Sequence, residues 1–193
     1  MSLKLFQSAS LPVVTLAETK QHLRVDVTDD DALITLMITA ATLLCEQKTG
    51  RALLTQQWDL ALDSFPDAFV LTRTPVAAVV SISYSDATGA LQTLPSNQYS
   101  LDVSDSFGPA FIVPAYGATW PETRDQINAV TVRYTAGWVN AAAVPENLKS
   151  WVKLMVGSMY ANRESEQGAA SNASSKLLEF ADSLLDSDRT VVL

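Results

Sequence analysis

The 193-residue sequence predicts an α+β protein: a small helical bundle, built from N-terminal and C-terminal helices, with a central antiparallel β insertion. Three observations carry that expectation. Apolar residues recur at three- and four-residue spacing before Gly50 and again after Pro145. Between Leu53 and Gly137 the period falls to two, in short runs broken by turn-forming residues. Hydrophobic residues make up 48% of the chain, enough for a folded core, and no apolar run approaches the ~18–20 residues that span a bilayer.

Thr15-Leu16-Ala17-Glu18 has the spacing of a capping box and opens a short helix ending near Leu23 or Arg24. Thr28-Asp29-Asp30-Asp31 starts a second helix with carboxylates at the positive end of its dipole. Behind it Leu33, Ile34, Met37, Ile38, Ala41, Leu44 and Cys45 form one apolar stripe, and Gly50 suits a left-handed cap. Strands are expected at Gln57–Leu62, Phe69–Leu71, Val79–Tyr84, Leu91–Leu94, Tyr99–Val103, Ala110–Val113 and Ala129–Tyr134. Asp86-Ala87-Thr88-Gly89 joins two of them as a hairpin, and Ser106-Phe107-Gly108-Pro109 turns between another two. Pro145 at the first helical position begins a helix that carries Leu148, Trp151, Val152, Met155, Val156, Met159 and Tyr160 to about Arg163. A last amphipathic helix runs from Lys176 to about Leu185. The expected organisation is a first helical half at 12–52, the β insertion at 53–137 and a second helical half at 144–164. A mobile linker at 165–175 and a C-terminal helix with a docking tail at 176–193 follow.

Composition narrows the function. A single cysteine, Cys45, excludes an intramolecular disulfide framework and a thiolate metal cluster; a single histidine, His22, excludes a multi-histidine metal site. A net charge of −8 argues against a general nucleic-acid binder, whose affinity rests on Lys and Arg. Met1–Ser10 holds one Lys and no long apolar segment, so a signal peptide is not expected. Charged residues are only 18%, below the usual ~25%, which suggests a surface covered by another chain.

Little in the sequence offers chemistry. Asp29-Asp30-Asp31 is read as a charged helix start rather than a metal cluster or hydrolase site. His22 has no visible nucleophile partner, Cys45 lies on the apolar stripe, and the loop glycines form no phosphate-binding pattern. No catalytic residue, metal ligand or cofactor is therefore expected. Trp120 and Trp138 lie beside Pro or Gly in loops, where they either anchor an interface or pin the loop to the sheet. From Glu164 onward six acids face two bases. The chain ends in the apolar Thr190-Val191-Val192-Leu193, so this stretch reads either as an arm docking on another chain or as a helix packed on its own domain.

Several motifs in order resemble the head–tail connector (adaptor) proteins of long-tailed phages. Pro12-Val13-Val14-Thr15-Leu16-Ala17-Glu18-Thr19-Lys20 with His22-Leu23-Arg24-Val25-Asp26 is similar to that family's opening. Asp30-Asp31-Ala32-Leu33-Ile34, Glu46, Thr49-Gly50-Arg51-Ala52-Leu53 and Gln57-Trp58 continue it. Pro75-Val76, Val80-Ser81-Ile82-Ser83-Tyr84 and Gly117-Ala118-Thr119-Trp120-Pro121 resemble larger members with a β insertion. Val132-Arg133-Tyr134-Thr135-Ala136-Gly137, Val144-Pro145 and Tyr160-Ala161-Asn162-Arg163-Glu164 complete the order. The tail departs from the family's Leu-Leu-x-Pro-Tyr-Arg ending, reading Ser183-Leu184-Leu185-Asp186-Ser187-Asp188-Arg189.

The resemblance implies a structural virion protein without enzymatic activity, cytoplasmic before assembly and then at the head–tail junction. It implies a ring of about a dozen copies below the portal, closed by a heterologous contact between copies. Its expected partners are the portal protein, a tail-completion or stopper protein, and itself; neither specific nucleic acid nor membrane is among them. An acidic wall would let DNA pass without adhering. Thr190, Val191, Val192 and Leu193 are the portal-docking candidates, as an added strand or plug, and Trp120 and Trp138 the interface-anchor candidates. The alternatives are a tail-completion or baseplate component, and a DNA-packaging accessory that binds the terminase.

Overall fold

The computed structural model describes residues 1–105, 108–162 and 180–189. They divide into two compact units.

One unit contains residues 1–9 and 55–138 and is built from strands. Its larger sheet has five antiparallel strands in the order β1 (Ser2–Gln7), β2 (Gln56–Leu62), β8 (Val130–Ala136), β4 (Val76–Ser85) and β5 (Leu91–Leu94). A separate three-stranded sheet runs β3 (Phe69–Leu71), β7 (Ala110–Pro114), β6 (Tyr99–Asp102). The strands expected between Leu53 and Gly137 are therefore present but shared between two sheets. β1, which the sequence reading left unassigned, forms an edge of the larger one.

Burial follows the two-residue period. On the central strand β8, Val130, Val132, Tyr134 and Ala136 are all buried, and the residues between them are half-exposed. Register places Leu60, Val132 and Ile82 side by side on the core face. The opposite face is polar, as an antiparallel sheet with one solvated side permits. There Arg133 grips its cross-strand neighbour Asp59 through two hydrogen bonds of 2.7 and 2.8 Å, and the Phe6 ring covers the guanidinium. The β4–β5 hairpin turns at Asp86. Its carboxylate accepts from the Thr88 and Ala90 amides, the Thr88 hydroxyl and the Gln92 amide, and Gly89 sits at φ 88°.

The other unit contains residues 10–54 and, after the strands, the described residues from 139 to 189. Here α1 (Leu16–Leu23), α2 (Asp31–Thr49) and α3 (Glu146–Ala161) pack on one another. The Thr15 capping box forms in full: its hydroxyl accepts from the Glu18 amide, and the Glu18 carboxylate accepts from the Thr15 amide at 2.7 Å. Gly50 caps α2 at φ 74°, a left-handed conformation that favours glycine. Pro145 stands one residue earlier than expected, at the N-cap of α3, with the extended ψ of 139°. Ile34, Ile38, Ala41 and Cys45 of α2 meet Leu148, Trp151, Val152 and Val156 of α3 in the core; Leu44, expected on the buried stripe, is 36% exposed. The C-terminal helix is described only at 180–183 and ends in a 3₁₀ turn at Asp186–Asp188. Its expected start and the linker before it lie outside the described residues.

Candidate functional site

Residues 180–189 form a strap across the helices, held by two buried apolar side chains and a set of polar groups. Ala181 and Leu185 are sunk into the helical core at 2% and 0% exposure. Between them Asp182 accepts from the Trp151 indole at 3.1 Å and pairs with Lys48 at 2.7 Å. Burial alone would raise the Asp182 carboxyl. Hydrogen bonds from Lys48 and Trp151, with the charges of Lys48 and Arg189, outweigh that and hold it below its usual value.

The strap's end is fixed from the first turn of α3. The Asn147 amide donates to the Leu184 carbonyl at 2.8 Å and to the Asp188 carboxylate at 2.7 Å. Arg51, only 2% exposed, donates through Nε to the Asp188 carbonyl. Glu46, also buried, accepts from the Leu53 amide at 2.8 Å and so secures the turn that carries Arg51. These charged residues are buried because each meets hydrogen-bonding groups. Sequence reasoning missed this network. Glu46 and Arg51 appeared there only as family motif residues, and their positions carry no periodic signal.

The bonds from Arg51 and Asn147 thus fix the strap at Asp188. The portal-docking candidates Thr190, Val191, Val192 and Leu193 follow it and lie outside the described residues. Trp120 is half-buried. It stacks on Phe65 at 5.1 Å and meets Phe69 edge-on at 5.5 Å, in a cluster that also includes Tyr84. Trp138 is half-exposed, and its carbonyl accepts from both the amide and the hydroxyl of Thr55, at 3.1 and 3.0 Å. The three aspartates at the start of α2 do not converge. Asp31 pairs with Lys20 at 2.6 Å and Asp30 accepts from the Tyr160 hydroxyl. Cys45 is fully buried, and burial, with Glu46 and Asp188 nearby, pushes its thiol up to about 12.

Known proteins place this arrangement. The family model described as phage gp6-like head–tail connector protein matches residues 13–110, about half of the chain. The chain belongs to the phage gp6-like head–tail connector family. It is a structural connector of the head–tail junction, joining head to tail. Solved structures extend the likeness over the whole chain. A chain from the virion of a native gene transfer agent particle is 25% identical, with a TM-score of 0.79. Chains from the neck of the empty particle, computed with C6 symmetry, and of the native particle, computed with C12 symmetry, are each 26% identical, with TM-scores of 0.78 and 0.70. Each match covers 100% of this connector and 97% of the other chain. No curated protein matches it.

Proposed function

We propose that the connector works as a ring of about twelve copies beneath the portal, with its C-terminal tip on the portal and a tail-completion or stopper protein on its other side. The observation that carries this reading is its likeness, from end to end, to a chain of a neck computed with C12 symmetry. Both the β unit and the helical unit take part in that likeness, so neither is an addition peculiar to this chain.

The role is mechanical and calls for no catalytic group or cofactor. Three of the side chains that might have offered chemistry are engaged in structure: Asp30 by Tyr160, Asp31 by Lys20, Cys45 by burial. A net charge of −8 suits a channel wall that DNA passes without sticking. The strap supports portal docking because Thr190–Leu193 begins where Arg51 and Asn147 have fixed the chain. A short apolar tip on a fixed root can add a strand to a partner's sheet edge. The half-exposed Trp138 and the half-buried Trp120 are further contact candidates.

Native mass spectrometry of the connector mixed with the portal of the same phage or prophage tests the reading. A portal ring carrying a full complement of connector is expected, and deletion of Thr190–Leu193 is expected to abolish that complex while leaving the fold intact. Unchanged binding by the truncated chain refutes tail docking. Failure of the intact, folded chain to bind the portal shifts the role to the tail side of the junction.

A further inference from the structure

The outer face of α2 carries no charge. Ala32, Leu36, Thr39, Ala40, Leu43 and Gln47 recur there at helical spacing and all are exposed, Leu36 at 69% and Leu43 at 51%. From Ala32 to Cys45 the helix has no Asp, Glu, Lys or Arg, and Glu46 is turned inward. A helix face meant for water normally carries charged and polar residues. Ala32, Leu36, Thr39 and Leu43 instead follow the 4-3-4 spacing of a seam that packs on a neighbour.

The hydroxyls bordering this face are already satisfied. Thr35 donates to the Asp31 carbonyl at 2.8 Å and Thr39 to the Thr35 carbonyl at 3.1 Å. Covering the face therefore leaves no threonine donor without a partner, which removes the usual cost of burying a hydroxyl.

We propose that this face is the contact between neighbouring copies of the connector, an inference that rests on the ring reading above. Charge argues for a second copy as the occupant. Each copy carries −8, so like-charged surfaces repel wherever two copies meet, and the contact belongs where charge is absent. A closed ring needs a heterologous contact, so the α2 face of one copy meets a different patch on the next. Area sets its strength. Sixteen helical residues span ~24 Å and, at ~10 Å width, offer ~240 Å². That is well short of the ~800 Å² per partner of a stable interface. Such a contact does not hold free copies together. It closes when assembly sets copies side by side at high effective concentration.

The experiment places benzoylphenylalanine at Leu36 of the full chain, assembles it into particles of the parent phage or prophage, irradiates, and identifies the adduct by mass spectrometry. An adduct of two connector chains is expected. An adduct with a different protein, an adduct within one chain, or no adduct overturns the proposal. The double variant Leu36→Lys, Leu43→Lys provides a second readout. It is expected to keep the circular dichroism and Tm of the isolated chain and to fall about tenfold or more in purified particles. Normal incorporation overturns the proposal. Wild-type connector missing from the particles would refute the ring reading itself, whereas wild-type connector present without a copy-to-copy adduct refutes only this inference.

Discussion

The Trp151 indole donates to one oxygen of Asp182 at 3.1 Å while Lys48 holds the other at 2.7 Å, so one carboxylate ties the strap to α3 and α2 together. Both members of the ion pair are about a third exposed, which limits its worth through solvent screening. Asp182→Ala is expected to raise local opening of 180–189 about fivefold, seen as faster amide exchange, with α1–α3 unaffected. The sign with pH follows from the depressed carboxyl. Its contribution is complete above the ordinary carboxylate value of about 3.9 and is lost as pH falls through the lower folded value. Exchange protection at the strap in wild type should therefore fall only in acid.

The Asp86 turn gives a second titration. Hydrogen bonds from the Thr88 and Gln92 side chains, then from the Ala90 and Thr88 amides, outweigh burial and lower its carboxyl to about 2. A carboxyl-carbon NMR titration is expected to show Asp86 with a midpoint near that value. The hairpin should keep its exchange protection from neutral pH down to about 4 and lose it only below. A midpoint at the ordinary carboxylate position would refute the hydrogen-bond arrangement. Asp86→Ala is expected to expose the Ala90 amide to exchange at every pH.

These local features were legible in the sequence because their partners lie within a few residues. The Thr15–Glu18 box, the Gly50 cap and the Asp86-Ala87-Thr88-Gly89 turn each form among neighbours, so composition and spacing suffice. β1 was missed because Leu3-Lys4-Leu5 alternates over too short a run. Its strand conformation depends on pairing with β2, fifty or more residues away. The division of the strands into two sheets is equally non-local, since no run states its partner. The strap network was hidden for the same reason: Arg51 is buried because it meets Asp188, 137 positions later. The outer face of α2 was overlooked differently. Leu36 and Leu43 lie off the expected stripe, and only their exposure sets them apart from Ile34 and Ile38 as an apolar outer face.

Cys45 should report unfolding of the helical unit. With its sulfur fully buried and its thiol pushed up to about 12, almost no thiolate is present or reachable in the native state. A thiol reagent at about pH 8 is expected to leave native connector unlabelled over hours and to label it completely in denaturant. Prompt labelling of the native chain would contradict the packing of α2 against α3.

Arg51 supplies the sharpest test of the strap network. Glu46 and Asp188 are both buried, and both act on the Cys45 thiol, so the two carboxylates occupy one neighbourhood. Arg51→Leu removes the buried guanidinium from beside Asp188 and leaves the Asp188 carbonyl without its donor. Losing a buried hydrogen bond from a charged donor in this way costs about 1.5–3 kcal/mol, measured by denaturant unfolding at neutral pH. A deficit below about 1 kcal/mol would mean that the bond to the Asp188 carbonyl adds nothing to the strap.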